Sequence, residues 1–424
     1  MIRSISPSST GGRISAIASK SEAHRLLILA SFSDRPSSSL CEEVNDDILA
    51  TVSCLNAMGA AIERIGSSFA VTPVKEWNPA PVLPCRESGS TLRFLLPVVG
   101  VLGMDATLHM KGRLPERPLS PLREVLEAAG MKLSESGRNP LRTSGTLSSL
   151  DFSIPANVSS QFISGLLFAI ALSGRTGSVT LLGKQESTPY IDMTVDALLQ
   201  FGIVLTRTED RLTVTKNPGL RAPAVLKVGG DWSGAAFPLC LGAIGSSPVS
   251  VDRLSLDSHQ GDRAVLDILR AFGAEVQVKE NTVTVSPAPL HGIRIDATSI
   301  PDLVPILSVV ACAAKGTTVI TGAARLRLKE SDRLSAIRQT LSALGGEVIE
   351  TSDGLIIYGK EKLLGGEVSS FGDHRIAMSA AIASALCLSP VTLSGAEAVS
   401  KSYPSFWEDM ALLGICSEEI GKEE

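Results

Sequence analysis

Residues 325–334 read RLRLKESDRL, which sets Lys329, Glu330 and Arg333 within about one helical turn of one another. Two cations that close could grip an anion, and a carboxyl group held between them could carry a proton. Similar junctions recur along the chain: Lys20 and Arg25 in KSEAHR, Arg93 in ESGSTLRF, Arg113 and Arg117 in GRLPERPLSPL, Arg375 in GDHR and Lys401 in SKSYP. Each alone would pass for a solvated surface charge. Repeated at loop–helix junctions, they point to a multiply anionic ligand. The acid–base candidates are Lys20, Asp302, Glu330 and His374. Capping of a helix would account equally for Asp302 in SIPDLVPIL, and an internal ion pair for Glu330. Arg325 and Arg327 read as one solvated face of a strand leading into this motif.

The net charge of −5 over 424 residues confines these cations to local clusters and argues against nucleic-acid or membrane partners. Seven cysteines without a CxxC pair suit reduced thiols in a cytoplasm, and no apolar run is long enough for a bilayer. The segment GLIIYGKE (354–361) spaces its glycines like a phosphate loop, but Glu361 stands where Ser or Thr would hold magnesium. The five histidines are scattered, so neither metal nor cofactor is expected.

The elements that must place these side chains repeat. Glycine closes an amphipathic helical pattern at 59, 130, 202, 273, 345 and 414, at intervals of 69 to 72 residues. Half a period out of phase, Ser88, Ser159, Asp231, Asp302 and Asp373 each open a nearly all-apolar segment, with Ser19 a plausible first member. A helix apolar on every face belongs in a core, covered by the amphipathic helices and alternating strands. Six such units make two groups of three, with a boundary near 226–232. The expected class is α/β (α+β), in two globular domains of internal pseudo-threefold symmetry with buried helices surrounded by sheets. If the N-termini of the buried helices converge, their amides and partial positive charge would add to an anion site.

In order along the chain, KSEAHR, SGSTLR, LPERPL, SSQF, STPYID, QGD, IPD, LKESDRL, DHRIAM and SKSYPSFW resemble the 5-enolpyruvylshikimate-3-phosphate synthase (EPSP synthase) family of enolpyruvyl transferases. The resemblance implies three βαβαββ units per domain, in an inverse α/β-barrel-like arrangement, with domains of residues 19–228 and 1–18 plus 229–424 and an active site in the cleft between them. It implies transfer of the enolpyruvyl group of phosphoenolpyruvate to the 5-hydroxyl of shikimate 3-phosphate. A monomer is expected, because two self-contained domains need no partner to make the cleft. Carried over by motif, Lys20, Gly89, Arg117, Gln161, Arg333, Arg375 and Lys401 would hold phosphoenolpyruvate. Ser21, Arg25, Ser159, Ser160, Gln161, Ser187, Tyr190, Asp302 and Lys329 would hold shikimate 3-phosphate. Asp302 would be the base toward the hydroxyl and Glu330 the proton donor, with Lys20 assisting. Glu87 and Arg325 depart from the family pattern, which often has Asn at each. UDP-N-acetylglucosamine enolpyruvyl transferases share fold and donor, but the loop GRLPERP lacks their reactive Cys or Asp. A non-catalytic anion-binding protein would not require Lys20, Asp302 and Glu330 together.

Overall fold

The computed structural model describes residues 1–6, 9–183, 185 and 188–421. These described residues form twelve α-helices: α1 (Lys20–Ser31), α2 (Asp46–Met58), α3 (Gly89–Val101), α4 (Leu122–Ala128), α5 (Ser160–Leu172), α6 (Thr188–Gln200), α7 (Trp232–Ile244), α8 (Val265–Phe272), α9 (Val304–Ala313), α10 (Arg333–Ala343), α11 (His374–Ala383) and α12 (Phe406–Leu412). The odd-numbered helices are the apolar ones. All ten residues of α11 are buried, as are all of α9 except Ala313. The even-numbered helices bury one face and expose the other, as α8 does with Leu266 and Leu269 inside and Asp267 and Arg270 outside.

The strands form six open sheets of four, all with one pattern. In the third repeat Asp151–Pro155 runs parallel to Gly177–Leu182, α5 making the crossover. Arg211–Lys216 then pairs antiparallel with Gly177–Leu182, and Val204–Arg207 antiparallel with Arg211–Lys216. Each repeat is therefore strand, buried helix, strand, covering helix and hairpin, a βαβαββ unit. Its amphipathic helix ends where the six periodic glycines adopt left-handed φ, from 84° at Gly202 to 115° at Gly59.

The chain divides into two compact units, Lys20–Val228 and Met1–Ser19 with Gly229–Glu424. In the first, the late strand Val225–Lys227 returns to lie parallel to Ser37–Leu40 and completes the opening sheet. In the second, the N-terminal strand Ile2–Ile5 supplies the missing strand beside Val391–Ser394, and Gly12–Ser15 lies parallel to Val249–Asp252. No helix among the described residues is long and apolar enough to cross a membrane.

Two local expectations are corrected. Residues 324–328 form a 3-10 turn, not a strand, because the preceding strand Thr317–Thr321 ends at Gly322 with φ +71°. Asp302 does not cap a helix: it sits inside the 3-10 turn Pro301–Leu303, and α9 starts at Val304 without a side-chain cap. Ser88, Ser159, Asp231 and Asp373 do cap theirs, accepting from Thr91, Gln161, Ser233 and Arg375 N–H groups.

Candidate active site

In the unit completed by the N-terminus, residues far apart in sequence meet at the entry to the buried helices. Arg333, the first residue of α10, is 1% exposed and donates to three carboxylates: Nη1 to Asp302 Oδ1 at 2.8 Å, Nη2 to Glu330 Oε2 at 2.8 Å and Nε to Asp373 Oδ2 at 2.7 Å. Burial alone would lower its proton affinity, but Asp373, Glu330 and Asp302 reverse this and keep it charged. Asp302 is shared further, with Arg375 Nη2 at 3.2 Å and Lys329 Nζ at 3.6 Å. Lys401 Nζ lies 3.7 Å from Glu330 Oε1. Burial would raise the Asp302 carboxyl, yet Arg375, Lys329 and Arg333 hold it well below the usual carboxylate range.

Seven charged groups thus form one network from four segments. Asp302 comes from the turn before α9, Lys329, Glu330 and Arg333 from the turn before α10, and Asp373 and Arg375 from the start of α11. Lys401 ends the 3-10 turn before α12. A carboxyl pair flanked by four cations can exchange protons with a ligand while neutralising its negative charge. His374 is buried in the first turn of α11, its Nδ1 3.8 Å from Asp373 Oδ1. The neighbouring basic residues have structural partners. Arg327 pairs with Asp332 and Glu350, at 3.0 and 2.6 Å, and Arg325 donates to Thr298 O at 2.6 Å. Asp332 caps α10 through Ser335 N–H.

In the other unit, Lys20 opens α1 and its Nζ donates to Asp47 Oδ2 at 3.0 Å. Arg25, one turn after Ser21, is 2% exposed. It donates to Ser21 O at 2.6 Å, Tyr190 O at 2.8 Å and Thr194 Oγ1 at 2.8 Å, none of them a carboxylate. Burial, opposed by Tyr190 and Glu22, pulls this guanidinium down to about 10, so an arriving anion would add counter-charge at a buried cation. Gly89 opens α3 beside two arginines. A Cβ there would stand 2.7 Å from Arg93 Nη1 and 2.8 Å from Arg117 Nη1. Ser159 caps α5, Ser160 is buried in its first turn, and Gln161 Nε2 donates to Ser90 Oγ at 3.0 Å. Glu87 lies against Gly112, which leaves no room there for a Cβ. Ser187 lies outside the described residues.

Sequence reasoning missed Asp47, Thr194 and a buried chain behind α1. His24 Nδ1 meets Thr51 Oγ1 at 2.7 Å, Thr51 meets Thr91 Oγ1 at 2.6 Å, and Thr91 donates to the cap Ser88 Oγ at 2.7 Å. This ties the start of α3 to α1 through side chains that no local pattern marks. Burial, opposed by Asp47 and helped by Lys20 and Arg25, pulls His24 down to about 3. Between that value and the ordinary 6.5 the unfolded chain binds the extra proton, so this contribution is complete above 6.5 and fades as pH falls. Urea denaturation between pH 4 and 6 is expected to show about 1.4 kcal/mol lost per unit from this site. His24→Gln should flatten that part of the slope; an unchanged slope would rule His24 out as its source.

A family model described as EPSP synthase (3-phosphoshikimate 1-carboxyvinyltransferase) matches residues 6–410. A 3-phosphoshikimate 1-carboxyvinyltransferase from Clostridium kluyveri is 41% identical over 423 residues, 99% of each chain. EPSP synthase from Acinetobacter baumannii superposes with a TM-score of 0.82 at 26% identity, covering 98% of this chain and 99% of that one. The enolpyruvyl transferase NikO from Streptomyces tendae shares the fold, with a TM-score of 0.76 at 16% identity over 98% of both chains.

Proposed function

The chain belongs to the EPSP synthase family, and we propose that its two clusters of charged side chains divide the work of one reaction. That reaction moves the enolpyruvyl group of phosphoenolpyruvate to the 5-hydroxyl of shikimate 3-phosphate and releases phosphate, in aromatic biosynthesis. The carrying observation for the residue roles is Arg333 bridging Asp302 and Glu330. Two carboxyls fixed by one guanidinium are spaced to act on neighbouring atoms, one taking a proton and one giving it.

In this reading Asp302 takes the proton of the 5-hydroxyl as that oxygen attacks the phosphate-bearing carbon of phosphoenolpyruvate. Glu330 adds a proton to the methylene carbon, and a tetrahedral ketal phosphate results. Loss of a methyl proton then expels phosphate and restores the double bond. Lys20 assists both transfers. Arg375 and Lys401, with Arg117, Lys20 and Gln161, hold the carboxylate and phosphate of phosphoenolpyruvate, and Gly89 leaves room beside Arg117. Arg333, already engaged by three carboxylates, turns to that ligand by exchanging partners. An anion drawing Arg375 and Lys401 toward itself would raise the proton affinity of Asp302 and Glu330, which arms them only when substrate is present.

Shikimate 3-phosphate is held by Arg25, Ser21, Ser159, Ser160, Gln161, Ser187, Tyr190, Lys329 and Asp302. The buried guanidinium of Arg25 is the natural partner for its phosphate. The seven free thiols suit a reducing cytoplasm. Two units, each with its own set of three sheets, need no partner chain, which supports a monomer.

Steady-state kinetics of two variants test the division. Gly89→Ala should raise the KM for phosphoenolpyruvate about 10-fold or more and leave that for shikimate 3-phosphate within about 2-fold. Arg25→Ala should raise the latter by about 10- to 100-fold, the equivalent of one or two charge-assisted hydrogen bonds. The reverse pairing of effects would overturn the assignment.

A further inference from the structure

Arg327, in the motif RLRLKESDRL, has no part in the reaction set out above, yet every nitrogen of its guanidinium is engaged. Nη1 bonds the carboxylates of Asp332, at 3.0 Å, and Glu350, at 2.6 Å. Nη2 donates to Thr351 O at 2.7 Å and Nε to Ser352 O at 3.4 Å. Glu350, Thr351 and Ser352 belong to the hairpin of strands Glu347–Glu350 and Leu355–Tyr358. The next residue of that hairpin, Asp353, takes Gly322 N–H on its carboxylate at 3.2 Å and Ala323 N–H on its carbonyl at 2.7 Å. One hairpin thus fastens the segment leading into the site at residues 322, 323 and 327.

The pair Arg327–Asp332 closes a loop around residues 328–331. Leu328 is exposed, but the other three reach residues of the site. Lys329 Nζ lies 3.6 Å from Asp302 Oδ1, Glu330 Oε2 accepts from Arg333, and Ser331 Oγ donates to Asp373 Oδ2 at 3.1 Å. Asp332 also caps α10, the helix that opens with Arg333. Stability alone does not account for this arrangement. The side chains of Arg327, Asp332 and Glu350 are 30%, 40% and 21% exposed, and ion pairs that solvent reaches contribute little to folding. What the contacts fix is position, and a misplacement of about 1 Å in a catalytic group can cost about 100-fold in rate.

We propose that Arg327 is a positioning residue of the active site, a clasp that holds the loop between itself and Asp332 so that Glu330 stands where the methylene carbon of phosphoenolpyruvate is protonated. The proposal rests on the assignment of Glu330 as proton donor. Arg327 acts through the loop and touches neither substrate.

The test is kcat, with urea midpoints, for Arg327→Ala, Arg327→Lys, Asp332→Asn, Arg338→Ala, Glu330→Gln and the double variant of Arg327→Ala with Glu330→Gln. Arg327→Ala should lower kcat about 10- to 100-fold with both substrates saturating. Its urea midpoint should stay close to that of Arg338→Ala, which loses an ion pair to the same Glu350 from outside the loop and should turn over like wild type. Arg327→Lys keeps an ion pair but not the carbonyl contacts, and should regain part of the rate. Asp332→Asn retains the cap without the charge and should be about three- to tenfold slow. On the Glu330→Gln background, loss of Arg327 should cost no more than about twofold further, because its effect runs through that carboxyl. The full additional loss there, or a slow Arg327→Ala whose urea midpoint falls far below that of Arg338→Ala, would overturn the proposal. If Glu330→Gln is slow while Arg327→Ala matches wild type, the clasp is wrong and the proton-donor reading stands. If Glu330→Gln turns over like wild type, that reading fails and the clasp with it. Should Arg327→Ala not fold, Arg327→Lys and Asp332→Asn decide: wild-type kcat in both rejects the proposal.

Discussion

Asp302→Asn is expected to lower kcat by about 10²- to 10⁴-fold, the range in which a positioned general base contributes. The amide keeps the shape and can still accept from Arg333 Nη1, so the turn before α9 should persist and the loss should fall on kcat. In the free protein Asp302 is a weak base, because Arg375, Lys329 and Arg333 together outweigh the effect of its burial. Its usefulness depends on those cations being drawn to substrate. The variant should therefore bind phosphoenolpyruvate no more weakly than wild type, since one competitor for the cations has gone. Equilibrium binding measured beside turnover distinguishes this from a simple loss of affinity.

The second large effect concerns stability. Arg333→Ala removes a group that contacts Asp302, Glu330 and Asp373 together. Three carboxylates at 18%, 14% and 0% side-chain exposure then face each other with less counter-charge. Removing one partner from a buried ion pair costs about 3–5 kcal/mol, and this variant should lose at least that much at pH 8. The pH dependence gives a second signature. Without Arg333 the Asp302 carboxyl keeps only Arg375 and Lys329 of the three cations that hold it low, so its folded-state proton affinity moves back toward that of the unfolded chain. The stability gap between variant and wild type should therefore narrow as pH falls. Arg333→Lys should rescue only part of the loss, since one ammonium cannot reach three carboxylates with the fork of a guanidinium. Urea denaturation at pH 5 and pH 8 checks both points; equal stability of Arg333→Ala and wild type would refute them.

Much of the fold was legible because it follows local rules. A glycine must follow each covering helix where φ turns positive, and a Ser or Asp can satisfy free amides at the start of a buried one. Both signals recur with one period and mark six equivalent units before any contact is known. The exceptions are instructive. Asp302 stands at the periodic position of a cap, but the prolines at 301 and 305 and the 3-10 turn move the helix start beyond it, and its carboxylate turns to ion pairs. Arg325 and Arg327 alternate with leucine as a strand would, but Gly322 ends the strand before them.

The candidate site was legible as a set of cations and carboxylates, not as a set of pairs. Arg333 reaches Glu330 three positions away, a helical spacing, but Asp302 is 31 and Asp373 40 positions distant. Such pairings depend on how repeats stack, which periodicity does not encode. Asp47 escaped notice for a related reason. As the second residue of α2 it looks like an ordinary first-turn acid, and only tertiary structure places it against Lys20. The saturation of Arg333 by three carboxylates could not be read from a motif that marks it as a ligand cation.

The most direct test of the acid–base assignment is single-turnover release of phosphate from phosphoenolpyruvate, with shikimate 3-phosphate saturating, by Glu330→Gln beside Asp302→Asn and wild type. Both variants should bind the two substrates within about tenfold of wild type and release phosphate at least about 100-fold more slowly. Release at the wild-type rate by either one, or a deficit that disappears at saturating phosphoenolpyruvate, would contradict the division of proton transfer between these two carboxyls.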